Sequence, residues 1–173
     1  MDVTDHPQSY IPGTPYDGME MTRHPAPGGN WGEFMAWDPV AGKKAWFIKE
    51  HFMTMSGVLA TAGDIVFYAT ADGWFRAVDA RKGEVLWSTK LGSGVIGQPM
   101  TFLGPDKRQY VAVYSGVGGA AMVSSKMPGF PPRGSTLYVF SVNGDSPHGG
   151  AGMLTTEAAA AAVRNDHGMG GKP

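Results

Sequence analysis

Asp38 and Asp79 are acidic residues whose surroundings repeat along this chain. Each stands in the pattern Ala-x-Asp-x-x-x-Gly-x-x-x-Trp: Ala36, Asp38, Gly42 and Trp46 in one copy, Ala77, Asp79, Gly83 and Trp87 in the other. A carboxylate in a fixed place could act as a general acid or base, or cap a turn by accepting backbone N–H bonds. The repeated position favours the cap, because in both copies a Gly suited to positive φ follows four residues later. The other candidate chemistry is thinner. His6, His24, His51, His148 and His167 show no spacing suited to a zinc site. The absence of cysteine excludes a disulfide framework, a thiolate metal site, a Cys nucleophile and c-type haem attachment within the chain. Gly116-Val117-Gly118-Gly119 lacks the helix pattern and the Lys-Ser/Thr pair of a phosphate-binding loop.

The elements that must hold these residues are short strands. The docking candidates Trp46 and Trp87 stand 41 residues apart, and a period near forty with hairpin signals inside it marks β-propeller blades. The alternative is two unrelated hairpins that share turn residues. Gly is frequent at 26 of 173 residues and charged residues make up only 17%, so turns and loops are favoured over helices. The net charge of −1 comes with no basic stripe, which argues against nucleic acid as a partner. No apolar run reaches the length of a membrane span. The polar start Met1-Asp2-Val3-Thr4-Asp5 is not a secretory signal.

Residues 1–30 read as a loop-rich lead-in broken by five prolines. Strands are expected at Glu33–Asp38, Ala45–Lys49, Gly57–Thr61, Ile65–Thr70, Trp74–Asp79 and Glu84–Leu91, with Val85 and Trp87 on one face. This makes one complete four-stranded blade between about residues 54 and 91. A further blade is expected from Gln98–Leu103, Gln109–Ser115 and Ser135–Asn143. If Asn143 stands where Asp79 stood, the two are 64 residues apart, 23 more than the period. The excess falls between Ser115 and Gly134, a Gly- and Pro-rich excursion of the kind on which propellers build function. The propeller region is thus 31–143, followed by a flexible tail at 144–173. The fold class is all-β, a partial propeller of about two to two and a half blades, with two open edges and two exposed apolar faces.

The run Met55-Ser56-Gly57-Val58-Leu59-Ala60-Thr61-Ala62-Gly63-Asp64-Ile65-Val66-Phe67, then Asp72-Gly73 and the Asp79/Gly83/Trp87 motif, resembles the C-terminal blades of PQQ (pyrroloquinoline quinone)-dependent alcohol dehydrogenases, the methanol and ethanol group. Tyr110-Val111-Ala112-Val113-Tyr114, Gly116-Val117-Gly118-Gly119 and Leu137-Tyr138-Val139-Phe140 extend the likeness over roughly residues 30–143. The resemblance implies an eight-bladed ring holding PQQ beside calcium or a lanthanide ion. It implies oxidation of primary alcohols to aldehydes in the periplasm, with cytochrome c accepting electrons. It places Met55, Ser56 and Gly57 against the quinone, with Met55 where relatives commonly carry a Trp. It places Gly118, Gly119 and Ala120 on the substrate cavity, with Ala120 where relatives often carry an aromatic residue. The metal-ligating Glu and Asn, the catalytic Asp, the stacking Trp and the vicinal cysteine pair of the family are expected in other blades. The chain is therefore expected to be inactive by itself and to need the remaining blades as partners. The alternative is a non-catalytic propeller scaffold or interaction module using the same tryptophan repeat.

Overall fold

The computed structural model describes residues 2–3, 9–13, 21–22, 24–118 and 129–141. The described residues form eleven strands and no helix: β1 (Asp2–Val3), β2 (Met21–Thr22), β3 (Gly32–Asp38), β4 (Lys43–Glu50), β5 (Leu59–Ala60), β6 (Ile65–Ala69), β7 (Trp74–Asp79), β8 (Val85–Lys90), β9 (Met100–Leu103), β10 (Gln109–Ser115) and β11 (Thr136–Ser141). Every ladder between them is antiparallel. β5-β6-β7-β8 is a complete four-stranded sheet, flanked by the pair β3-β4 and by the three-stranded sheet β11-β10-β9. This is a partial propeller: one whole blade between two incomplete ones. The small pair β1-β2 departs from the expectation of an irregular lead-in, because Met21 and Thr22 lie in a stretch between Pro15 and Pro25 where no ring removes a backbone donor. The tail at 144–173 lies outside the described residues.

The two copies of the repeat fold alike. Asp38 Oδ1 accepts from the N–H groups of Val40 and Ala41, both at 2.9 Å. Asp79 Oδ1 accepts from those of Arg81 and Lys82, both at 2.8 Å. Gly42 and Gly83 take left-handed φ values of 63° and 71°. Alternation alone misses one feature. Ala36 pairs with Trp46 but Trp37 pairs with Lys44, and Ala77 pairs with Trp87 but Val78 pairs with Val85. Ala45 and Leu86 are therefore bulged, each one residue before the tryptophan. A bulge opposes two residues to one and shifts the side-chain parity. It corrects the expectation that Val85 and Trp87 share a face: Val85 is exposed, while Leu86 and Trp87 both pack on the core.

The sheets stack face to face. Trp46 Nε1 donates to the carbonyl of Ala80 in the capped turn of the next sheet at 2.9 Å. Phe34 stacks on Tyr68 with ring centroids 3.9 Å apart. Between the second and third sheets, Phe75, Trp87 and Phe140 form a cluster with centroids 5.3 to 5.8 Å apart. This is the main core, with Ile65, Phe67, Ala77, Leu91, Val95 and Val113 around it. Among the described residues no acceptor meets Trp87 Nε1.

A polar tie crosses the first interface. Glu50, 4% exposed at the end of β4, accepts from Tyr68 Oη at 2.5 Å and from Arg76 Nη2 at 3.2 Å. Arg76 Nε lies 3.0 Å from the same carboxylate, too far off line to be a hydrogen bond. Burial, then the bond to Glu50, push the Tyr68 hydroxyl well above its ordinary pKa. The outer faces, in contrast, are open. Met35, Trp37 and Phe47 face out from the first pair; Met100, Phe102, Tyr114, Leu137 and Val139 face out from the third sheet.

Two outcomes follow from these contacts. A Cβ on Gly83 would sit 2.6 Å from the Trp46 ring at a φ that L-residues resist. Gly83→Ala is expected to lower stability by about 1–3 kcal/mol, measured as a shift of the urea midpoint. Because the folded pKa of Tyr68 is raised, its contribution is fully present below the unfolded value of about 10 and is lost as pH rises above it. Tyr68→Phe is expected to flatten the alkaline decline in stability and to cost about 1–3 kcal/mol at neutral pH, because Glu50 loses a buried donor. Unfolding midpoints measured between neutral and strongly alkaline pH check both effects.

Candidate functional site

Antiparallel order divides the blades into two ends. The capped turns at Asp38 and Asp79 lie at one end, with the turn at Asp64 and the Gly104–Arg108 turn. The connections 51–58, 70–73 and 91–99 lie at the other, with the described parts of the fourth, residues 116–118 and 129–135. Met55, Ser56, Gly57 and Gly118 fall at this second end, so Asp38 and Asp79 cannot join them in one site. The four connections are laced by their backbones. Ala71 N donates to Met53 O at 2.7 Å, Val95 N to Thr70 O at 3.2 Å, and Gly116 N to Gly94 O at 2.8 Å. Val95 and Gly116 also form a parallel bridge. Gly94 permits this closeness, since a Cβ there would overlap the carbonyl oxygen of Ala71.

Met55, Ser56 and Gly57 lie in the connection from β4 to β5. The Ser56 hydroxyl accepts from Ala69 N at 2.7 Å and donates to Ala69 O at 3.0 Å. It thereby splints the segment to the end of β6. Gly57 N donates to Gly97 O at 3.3 Å. The Ser56 hydroxyl and the Gly57 N–H are thus engaged within the protein, whereas Met55 is 37% exposed. Gly118 has φ 43° and lies against Ile96, the neighbour of Gly97, so the connection from the second to the third sheet links it to the Gly57 segment. Gly119 and Ala120 lie outside the described residues.

Other titratable groups at this end are committed to structure. Burial works against the Asp72 carboxylate, but hydrogen bonds from Lys90 and Thr70 outweigh it and hold its pKa below the usual range. Lys90 and Arg76 each lie over the Trp74 ring at 5.1 Å, so Asp72 belongs to a surface brace and is not a poised base. His51 is exposed, and among the described residues no three His, Asp or Glu side chains converge as a metal site. His6, His148 and His167 lie outside the described residues.

Sequence reasoning missed the far side of the excursion. Phe130 returns to the first sheet and packs on buried Phe52, with ring centroids 6.0 Å apart. Trp31, Met53 and Ala71 complete this second small core. Nothing in the spacing of Phe130 signals it, because its partner is remote in sequence.

The family model for the glucose/ethanol/alcohol dehydrogenase β-propeller domain matches residues 38–111. The lanthanide-dependent methanol dehydrogenase of Methylacidiphilum fumariolicum is 54% identical over 114 residues, 64% of this chain and 19% of that protein. The quinoprotein ethanol dehydrogenase of Pseudomonas aeruginosa is 44% identical over 112 residues, 65% of this chain and 18% of that protein. A solved europium-containing methanol dehydrogenase superposes on 65% of the chain with a TM-score of 0.58 at 43% identity, covering 23% of that structure. The chain is similar to blades of quinoprotein alcohol dehydrogenases. It spans about a fifth of the length of the curated relatives it matches.

A planar quinone fits these residues in part. Met55 offers an exposed, polarizable side chain to a ring face. Ser56 and Gly57 shape the segment, but the Ser56 hydroxyl is spent on Ala69 and the Gly57 N–H on Gly97. The described residues supply no ligand set for the metal that the family implies. Ser56→Ala is expected to leave the Ala69 amide without its partner and to lower stability by about 1–3 kcal/mol. Its measurable sign is faster hydrogen exchange at the Ala69 amide.

Proposed function

We propose that these blades form one part of a PQQ-dependent alcohol dehydrogenase that oxidises primary alcohols of the methanol and ethanol class to aldehydes. The observation that carries the reading is the 54% identity over 114 residues with a lanthanide-dependent methanol dehydrogenase. When bound, PQQ supplies the redox chemistry by accepting two electrons from the alcohol. This chain's own part is positional. The Met55 side chain would meet one face of the ring, the Ser56 hydroxyl fixes that segment to β6, and Gly118 would border the alcohol's cavity.

The proton acceptor and the calcium or lanthanide ligands belong to blades outside this chain. Those blades cover the two open apolar faces, where Trp37 is 56% and Val139 50% exposed. They are its principal partners, the complete enzyme passes electrons to cytochrome c, and its compartment is the periplasm. The experiment compares the isolated chain with the complete enzyme, each supplied with PQQ and with Ca²⁺ or a lanthanide, and follows dye reduction driven by methanol or ethanol. Turnover is expected from the complete enzyme alone. Turnover by the isolated chain would refute the incomplete site, and a complete enzyme without quinone-dependent turnover would refute the dehydrogenase reading.

A further inference from the structure

We infer that Phe130 is a positioning residue that fixes the quinone-facing Met55 segment from the third sheet, acting through Phe52; the inference rests on the dehydrogenase reading of Met55–Gly57. The connection from β4 to β5 is eight residues long and contributes Met55 from its middle. Its later part is held locally, by Ser56 on Ala69 and Gly57 on Gly97. Its earlier part is held by Phe52, which is 4% exposed. The ring of Phe130 lies 6.0 Å from that of Phe52, tilted by 41°.

Phe130 is itself firmly rooted. Two residues on, the carbonyl of Pro132 accepts from Ser93 Oγ at 2.7 Å. Ser93 is locked in turn to β10, its N–H donating to Ser115 Oγ at 3.1 Å and its carbonyl accepting from the same hydroxyl at 2.8 Å. Ser93 and Ser115 are each 1% exposed. A continuous path therefore runs from β10 through Ser115, Ser93, Pro132 and Phe130 to Phe52 and Met53, buried at Ser115, Ser93 and Phe52 and exposed at Pro132. It bypasses the strands of the second sheet and ties a connection between the first two blades to the third.

The geometry gives the bridge a consequence. Met55 and Gly118 border the same end of the blades but hang from different sheets. Apart from the bridge, their separation is set at the Gly57 end of the segment by the 91–99 connection, through Gly97 and Ile96, and at the Phe52 end by the sheet interfaces. With it, the Phe52 end of the Met55 segment is referred directly to β10, from which Gly118 also springs. Displacements of about 1 Å in a binding site can cost on the order of a hundredfold in function, so a contact that removes such freedom should be visible in quinone affinity.

The test uses the complete enzyme, its apoprotein titrated with PQQ and followed by quenching of tryptophan fluorescence, alongside the thermal midpoint. Phe130→Ala is expected to raise the Kd for PQQ about tenfold or more with the midpoint changed by no more than about 2 °C. Phe130→Leu, which still fills the contact with Phe52, is expected to keep most of the affinity. Ser93→Ala, which frees Pro132, is expected to weaken binding in the same direction by a smaller factor. Phe52→Ala combined with Phe130→Ala should be no weaker than the worse single variant, because both break one contact. Unchanged affinity in Phe130→Ala and Ser93→Ala overturns the inference, as does a loss of affinity that merely tracks a falling midpoint. If Phe130→Ala does not fold, unchanged affinity in Ser93→Ala alone overturns it. An unsubstituted enzyme that binds no PQQ defeats the dehydrogenase reading itself, a result distinct from normal binding that the variants leave untouched.

Discussion

The docking of one sheet face on the next is the constraint on which the rest of this structure depends. A four-stranded sheet of this size pairs the backbone groups of its inner strands but has two faces to cover, and apolar faces left in water forfeit the main driving force of folding. Trp46 meets this need with a large ring laid on the turn of the next blade and an indole N–H that finds the Ala80 carbonyl. The Asp79 cap and the left-handed Gly83 shape the surface on which the ring rests. The bulge before each tryptophan re-aims the strand so that the ring reaches across. Motif, cap and bulge are thus parts of one joint.

The joint also explains where chemistry can sit. It occupies the end of the blades that carries the Asp-capped turns and leaves the opposite end free for longer connections. There the backbones of Met53, Ala71, Val95 and Gly116 lace four connections into one layer. Such a layer is rigid because its bonds run between different blades, and a rigid base is what a site on loops requires. The same logic accounts for the engaged hydroxyls of Ser56, Ser93 and Ser115. They hold connections in place and are not spare donors for a ligand.

The interfaces differ in character. The first is partly polar: Glu50, Tyr68 and Arg76 form a buried charged tie beside the Phe34–Tyr68 stack. The second is aromatic, built on Phe75, Trp87 and Phe140. A buried ion pair adds little net stability over an apolar contact of like volume, but breaking it is costly. It therefore acts more on the register of the two sheets than on their total stability. The open faces of the outer sheets continue the apolar half of this pattern and are suited to further blades.

Sequence alone determined the blade architecture, because the repeat is local. Ala36, Asp38, Gly42 and Trp46 lie within eleven residues, as do Ala77, Asp79, Gly83 and Trp87, so their spacing encodes turn, cap and docking ring directly. The strand pattern of β6 and β7 and the excursion after β10 were legible for the same reason. Parity beyond the bulge was not, since alternation cannot show that Ala45 and Leu86 drop out of register; that is decided by the cross-strand partners. Nor could sequence tell that the Ser56 hydroxyl would be consumed by Ala69, or that Met55 beside it would stay exposed. The meetings of Phe130 with Phe52 and of Glu50 with Arg76 belong to tertiary structure for a simple reason. Each joins residues far apart in the chain, and only the stacking of the blades brings them within reach.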